Sequence, residues 1–210
     1  MTASTQAHHG KLICFCGIDG SGKSTHSQFV AHELKKQGYS VKRTVLLTKQ
    51  SYFFQCMNPF IGRITDQFYC DLFGFQRYMS AKSRLCRELE TYDVVLCDRY
   101  LFTDIAYTIG YQCDPTNIKL LLELAPKPDL VLLFDVNPEV ALERISKRGK
   151  KIWKRQENLQ LLTPTRLAYL DLAKEMGFKV IDSHCSLHET QEAALKQTVS
   201  ILADRQVVSP

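Results

Sequence analysis

A chain of 210 residues with 45% hydrophobic and 23% charged residues has the proportions of an ordinary soluble globular protein, long enough for one well-buried core and a single domain spanning 1–210. No stretch approaches the ~20 apolar residues of a membrane span, so a membrane partner is not expected. The formal charge of +5 leans towards anionic partners without separating nucleotides from nucleic acid.

Lys11–Cys16 reads as a first strand, and the segment from Lys23 to Gln37 as a helix closed by Gly38. Ser40–Leu47 follows as a second strand. Asn58–Cys70 and Leu72–Glu90 read as two helices, with Gly74 a weak point in the latter. Asp93–Cys97 is a third strand running into Asp98-Arg99-Tyr100, and Pro115–Ala125 a helix stopped by Pro126. Asp129–Asp135 is a very apolar fourth strand, followed by a helix over Pro138–Arg148 with Pro in its first turn. After a basic stretch come a helix from about Pro164 to Met176, a fifth strand Phe178–Ile181 and a closing helix Leu187–Asp204. Short apolar runs alternating with helices predict an α/β fold with a parallel sheet. There is no internal repeat and no dividing linker.

The eight cysteines include no C-x-x-C pair, and Cys14, Cys16 and Cys97 fall in apolar strands. They read as reduced thiols serving as small hydrophobes in a cytosolic protein. The first ten residues are polar, with neither an apolar signal core nor an Arg-rich amphipathic pattern, which agrees with a cytoplasmic protein.

Gly17-x-x-x-x-Gly22-Lys23-Ser24 matches the Walker A pattern between a strand and a helix. Gly17, Gly20 and Gly22 can take backbone angles closed to other residues, so successive N–H groups turn towards one centre. The helix N-terminus adds its unsatisfied N–H groups and partial positive charge. Residues Gly17, Ile18, Asp19, Gly20, Ser21, Gly22, Lys23, Ser24 and Thr25 are therefore assigned to ATP. Lys23 bridges the β- and γ-phosphates and the Ser24 hydroxyl holds Mg2+.

Asp98-Arg99 ends the third strand, at the sheet edge where ligands of open α/β sheets bind. Asp98 is a second magnesium candidate, and Arg99 can clamp a phosphate on two oxygens. Between Lys147 and Arg155 lie Lys147, Arg148, Lys150, Lys151, Lys154 and Arg155, after a helix in which Arg144 and Arg148 share one face. Phosphoryl transfer needs cations around the γ-phosphate and exclusion of water, so residues 146–158 read as a lid. A nucleic-acid patch or a solvated charge run is the competing reading.

Three segments carry a family resemblance: Phe15-Cys-Gly-Ile-Asp-Gly-Ser-Gly-Lys-Ser-Thr25, Asp98-Arg-Tyr-Leu-Phe-Thr-Asp-Ile-Ala-Tyr107 and the stretch Pro128–Gly149. Together, in this order and spacing, they resemble the thymidylate kinase family over about residues 11 to 183. The resemblance implies a P-loop NTPase three-layer sandwich with a five-stranded parallel sheet flanked by helices, often a homodimer, that transfers the ATP γ-phosphate to dTMP. It puts Asp19 against the acceptor sugar and Arg99 on the acceptor phosphate. Phe73-Gly-Phe-Gln-Arg77 resembles a Phe-x-x-x-Arg motif whose ring stacks on thymine and whose arginine bonds to it. Thr103 and Tyr107 fall on positions lining the nucleoside pocket. Gly20 replaces the P-loop arginine of some members, which implies catalytic arginines from the lid, here Arg148 and Arg155, beside Arg144 on the ATP side. Two stretches depart from the pattern. After the second strand Thr48-Lys-Gln-Ser-Tyr-Phe-Phe lacks the usual arginine, leaving Lys49 or Arg63, and Trp153 stands where a lid arginine is expected.

The sequence is thus read as an ATP- and Mg2+-dependent nucleoside monophosphate kinase, with dTMP as acceptor. A nucleoside kinase, whose hydroxyl acceptor needs a base such as Asp19 or Asp98, is the near rival. A non-catalytic nucleotide- or nucleic-acid-binding module is the distant one. Few aromatics are interleaved with the basic run, so no stable nucleic-acid partner is expected.

Overall fold

Lys11–Cys16 contains no strand breaker and five of its six residues are buried, as a parallel strand covered on both faces requires; it forms β1. In the computed structural model, which describes residues 10–46, 56, 58–60, 62–147 and 158–203, β1 is the middle of a five-stranded sheet. The other strands are β2 (Val41–Val45), β3 (Val94–Asp98), β4 (Leu130–Asp135) and β5 (Lys179–Asp182), in the order β2-β3-β1-β4-β5. Every pairing is parallel. The register sets Asp98 opposite Phe15 on one side and Val45 on the other, so the carboxyl ends of β1, β2 and β3 finish together.

The helices divide between the two faces. Helix α1 (Lys23–Lys36) and the last helix, α8 (Leu187–Ala203), cover one face, around Phe15, Val30, Leu34, Phe134 and Leu202. The opposite face carries α2 (Asp66–Ser80), α3 (Cys86–Thr91), α4 (Leu101–Gly110), α5 (Thr116–Leu124) and α7 (Leu159–Met176), around Phe73, Leu85, Phe102, Ile105 and Tyr169. Helix α6 (Pro138–Lys147) follows β4. This is the three-layer, five-stranded parallel arrangement expected of a P-loop NTPase.

Three elements differ from the expectation. The pair of helices Asn58–Cys70 and Leu72–Glu90 is replaced by a short 3-10 turn, Asn58–Phe60, and one long run from Asp66. That run begins where Thr65 Oγ1 accepts the Phe68 N–H at 3.2 Å, and it passes without a break through a π turn, Ala81–Leu85, into α3. Gly74 is no weak point: a Cβ there would come within 2.9 Å of Ile118 Cγ1, so the missing side chain lets α5 pack close.

Helix α4 was not expected at all. Nine of its ten residues are buried, and its polar residues, Thr103, Asp104, Tyr107 and Thr108, recur at helical spacing that the sequence reading did not use. Helix α7 starts at Leu159 and not near Pro164. Asn158 Oδ1 caps it by accepting the Leu161 N–H at 2.9 Å, and Pro164 sits inside the helix at the cost of one backbone bond. No helix among the described residues is long and apolar enough to cross a membrane.

Candidate active site

The loop from β1 to α1 is shaped by its glycines. Gly17 has φ 138°, and a Cβ there would lie 2.5 Å from the Phe134 carbonyl of β4. Gly20 has φ 86°, and its Cβ would lie 2.4 Å from the Ala141 carbonyl. Helix α6 therefore runs against the loop where some members of the resembling family carry an arginine, and no side chain fits. The Lys23 ammonium, 5% exposed, curls back over the loop. It donates to the carbonyls of Gly17 at 3.0 Å and Ile18 at 2.8 Å and to Ser21 Oγ at 3.5 Å.

At the start of α1 the Ser24 hydroxyl donates to Asp98 Oδ2 at 2.5 Å. Asp98 is buried, and its Oδ1 has no hydrogen-bond partner among the described residues. A hydroxyl and a buried carboxylate with an unused oxygen, side by side at the loop, form the hard oxygen donor set that magnesium takes.

The residues that the sequence reading assigned to the acceptor lie around the turn from β3 to α4. Arg99 adopts φ 67°, a left-handed conformation, and its guanidinium is hydrogen-bonded to the Asp19 carboxylate. The Asp19 N–H donates to the Tyr107 hydroxyl at 3.2 Å. Arg77, 5% exposed, donates from Nε to Asp104 Oδ2 at 2.5 Å and from Nη1 to the Arg99 carbonyl at 3.2 Å. Phe73, one turn before Arg77, is buried with its ring 4.5 Å from that of Tyr69. Thr103, one turn before Tyr107, is buried, and its Oγ1 has no partner among the described residues.

Two cavities open on the loop. One of about 160 Å³ is lined by Asp19, Gly20, Lys23, Ser24 and Arg99 among others. The second, about 260 Å³, shares Gly20, Gly22 and Thr25 with the first and extends along His26, Arg144, Ser183, Cys185 and Leu187. Arg144 is tethered there by a 2.8 Å bond from Nη2 to the Ser183 carbonyl. Arg148, Arg155, Lys49 and Trp153 lie outside the described residues, as does the segment 146–158 apart from Ser146, Lys147 and Asn158. Arg63 is exposed. At the end of β2 it is Arg84, on the π turn, that donates to the Val45 carbonyl.

The sequence reading passed over Asp104 and His26. Asp104 stood inside a quoted segment, and a carboxylate in an otherwise apolar run was the available signal, because a buried charge needs a partner. His26 lies 4.9 Å from the Phe134 ring and parallel to it, 4% exposed. Burial, reinforced by Arg144, lowers its imidazole from the usual 6.5 to about 4. The unfolded chain then binds a proton between those values that the folded protein refuses. Stability is complete above about pH 6.5 and falls as pH drops towards 4, by at most about 3 kcal/mol. Urea midpoints of the parent and His26→Gln at pH 7 and pH 4.5 should show the parent losing more than the variant. Equal losses would contradict this.

All eight cysteines are free, and burial pushes the Cys14 and Cys16 thiols well above their ordinary value, which leaves them inert as nucleophiles.

A model of the family described as "Thymidylate kinase" matches residues 15–194. A protein of Archaeoglobus fulgidus named "Probable thymidylate kinase" is 36% identical over 91% of this chain and 96% of its own. "Probable thymidylate kinase 1" of Saccharolobus solfataricus is 32% identical over 89% of this chain and 95% of its own. The "Thymidylate kinase" of an Exiguobacterium species is 34% identical over 67% of this chain and 70% of its own.

Proposed function

The chain belongs to the thymidylate kinase family, and from that membership we propose that it transfers the γ-phosphate of ATP to dTMP, giving dTDP. It is a phosphotransferase of the nucleoside monophosphate kinase class. The observation that carries the division of the site is the 160 Å³ cavity in which Lys23 and the Asp19–Arg99 pair meet at the P-loop mouth. The ATP phosphates belong in the cradle of Gly17–Thr25, and the adenosine end in the adjoining cavity beside Arg144. The dTMP phosphate belongs on Arg99, its sugar against Asp19 and Tyr107, and its base towards Phe73, Arg77 and Thr103.

An acceptor phosphate oxygen attacks the γ-phosphorus in line, and the bond to the β–γ bridging oxygen breaks to release ADP. An ionised phosphate is already a nucleophile, so no side chain need remove a proton. Asp19 and Asp98 then serve as partners of Arg99 and Ser24. Lys23 exchanges the Gly17 and Ile18 carbonyls for the transferred phosphoryl group, and Arg99 draws the acceptor oxygens towards it. Arg148 and Arg155 add positive charge around the γ-phosphate from the basic segment. Ser24 and Asp98 are the residues that would hold magnesium, which supplies charge neutralisation on the phosphate oxygens.

Incubation with ATP and magnesium plus either thymidine or dTMP tests the reading against a nucleoside kinase. Product from dTMP alone is expected, and thymidine phosphorylation would overturn it.

One chain forms one kinase domain, and two chains pair through α2. Phe68, Phe75 and Met79 share one face of that helix at 53%, 51% and 46% exposure, an apolar stripe suited to a second copy. Phe75→Asp should halve the mass seen by sedimentation equilibrium, and an unchanged mass would contradict the pairing.

A further inference from the structure

The β3–α4 turn holds Arg99 in a conformation that a side-chain-bearing residue adopts at a cost. Its φ of 67° is left-handed, where Cβ crowds the following carbonyl by roughly 1–2 kcal/mol. Such a turn persists only where its surroundings over-determine it. The Arg99 N–H donates to the Phe15 carbonyl at 3.3 Å, a weak tie. The Arg99 carbonyl accepts from the charged Nη1 of Arg77 at 3.2 Å and from Cys97 Sγ at 3.9 Å.

Arg77 can hold that carbonyl only if its own charge is compensated, because it is 5% exposed. Asp104, 8% exposed and one turn into α4, supplies the compensation through a 2.5 Å bond to Nε. The bond uses Nε and the carbonyl takes one Nη1 hydrogen, so the guanidinium is fixed in plane from two sides and keeps further donors for a base.

We infer that Asp104, acting through Arg77, is a positioning residue for Arg99. The buried pair holds the turn that aims the Arg99 guanidinium at Asp19 and the P-loop mouth, where the acceptor phosphate is bound. The inference rests on the assignment of Arg99 to that phosphate. It gives the Arg77–Asp104 pair a task separate from reading the base. Loss of the pair should weaken the hold on the phosphate whatever happens to the nucleoside.

The ratio of the dissociation constant of thymidine to that of dTMP isolates the phosphate's share, and titration calorimetry measures both. The parent should bind dTMP far more tightly than thymidine. In Asp104→Asn the ratio should fall about tenfold or more, the size of a lost bond to a charged group, whatever the change in thymidine affinity. Asp104→Asn leaves the Arg77 charge buried and unpaired, which can prevent folding. The double variant Arg77→Leu/Asp104→Leu buries no charge and is the second arm. Thymidine then weakens because the base contact of Arg77 is gone, and the ratio should fall as well. A ratio equal to the parent's in either folded variant overturns the positioning role. A parent ratio near one overturns the assignment of Arg99 to the phosphate, and the inference with it.

Discussion

Lys23→Ala should lower turnover by a factor of about 10³ or more while the fold stays intact. The ammonium is buried in the loop and donates to loop atoms, Gly17 O, Ile18 O and Ser21 Oγ. Lys23 itself lines the 160 Å³ cavity, so water can enter where the ammonium stood, and the structural cost is small. The catalytic cost is large, because charge shifts onto the transferred phosphoryl group in the transition state and a preorganised cation there is worth most at that moment. Steady-state turnover and circular dichroism check the two halves. Turnover within a few-fold of the parent would remove Lys23 from the reaction.

Arg99→Lys should raise the KM for dTMP by about tenfold or more and lower kcat, while the KM for ATP stays near the parent's. Lysine keeps the charge and, having a Cβ, meets the same penalty at φ 67°, so the turn is not relieved. What it loses is the planar fork that can grip two phosphate oxygens while facing Asp19. Initial rates with each substrate varied at saturating levels of the other separate the two constants. A raised KM for ATP with an unchanged KM for dTMP would put Arg99 on the wrong nucleotide.

The P-loop was legible because its pattern is local: glycines, a lysine and a serine at fixed spacing between a strand and a helix. The inner strands β1, β3 and β4 were legible because parallel strands buried on both faces are apolar runs. Helix α4 was missed although Thr103, Asp104, Tyr107 and Thr108 recur at helical spacing, because the helix has only ten residues and the pattern is short. The continuous run from Asp66 to Thr91 was misread as two helices because capping by Thr65 and the π turn after Ser80 leave only weak traces in sequence. The Arg77–Asp104 pair joins residues 27 positions apart on two helices, so neither residue identifies its partner before the chain is folded. The backbone approach of Ala141 that requires Gly20 is equally non-local.

The most direct test of phosphoryl transfer to dTMP is a panel of dTMP, dUMP, CMP, UMP and AMP, each incubated with ATP and magnesium and resolved chromatographically for diphosphates. The site described here predicts ADP formed in step with dTDP, at a kcat/KM for dTMP above that of every other acceptor. Conversion of CMP, UMP or AMP in preference to dTMP, or no acceptor-dependent ADP at all, would contradict it.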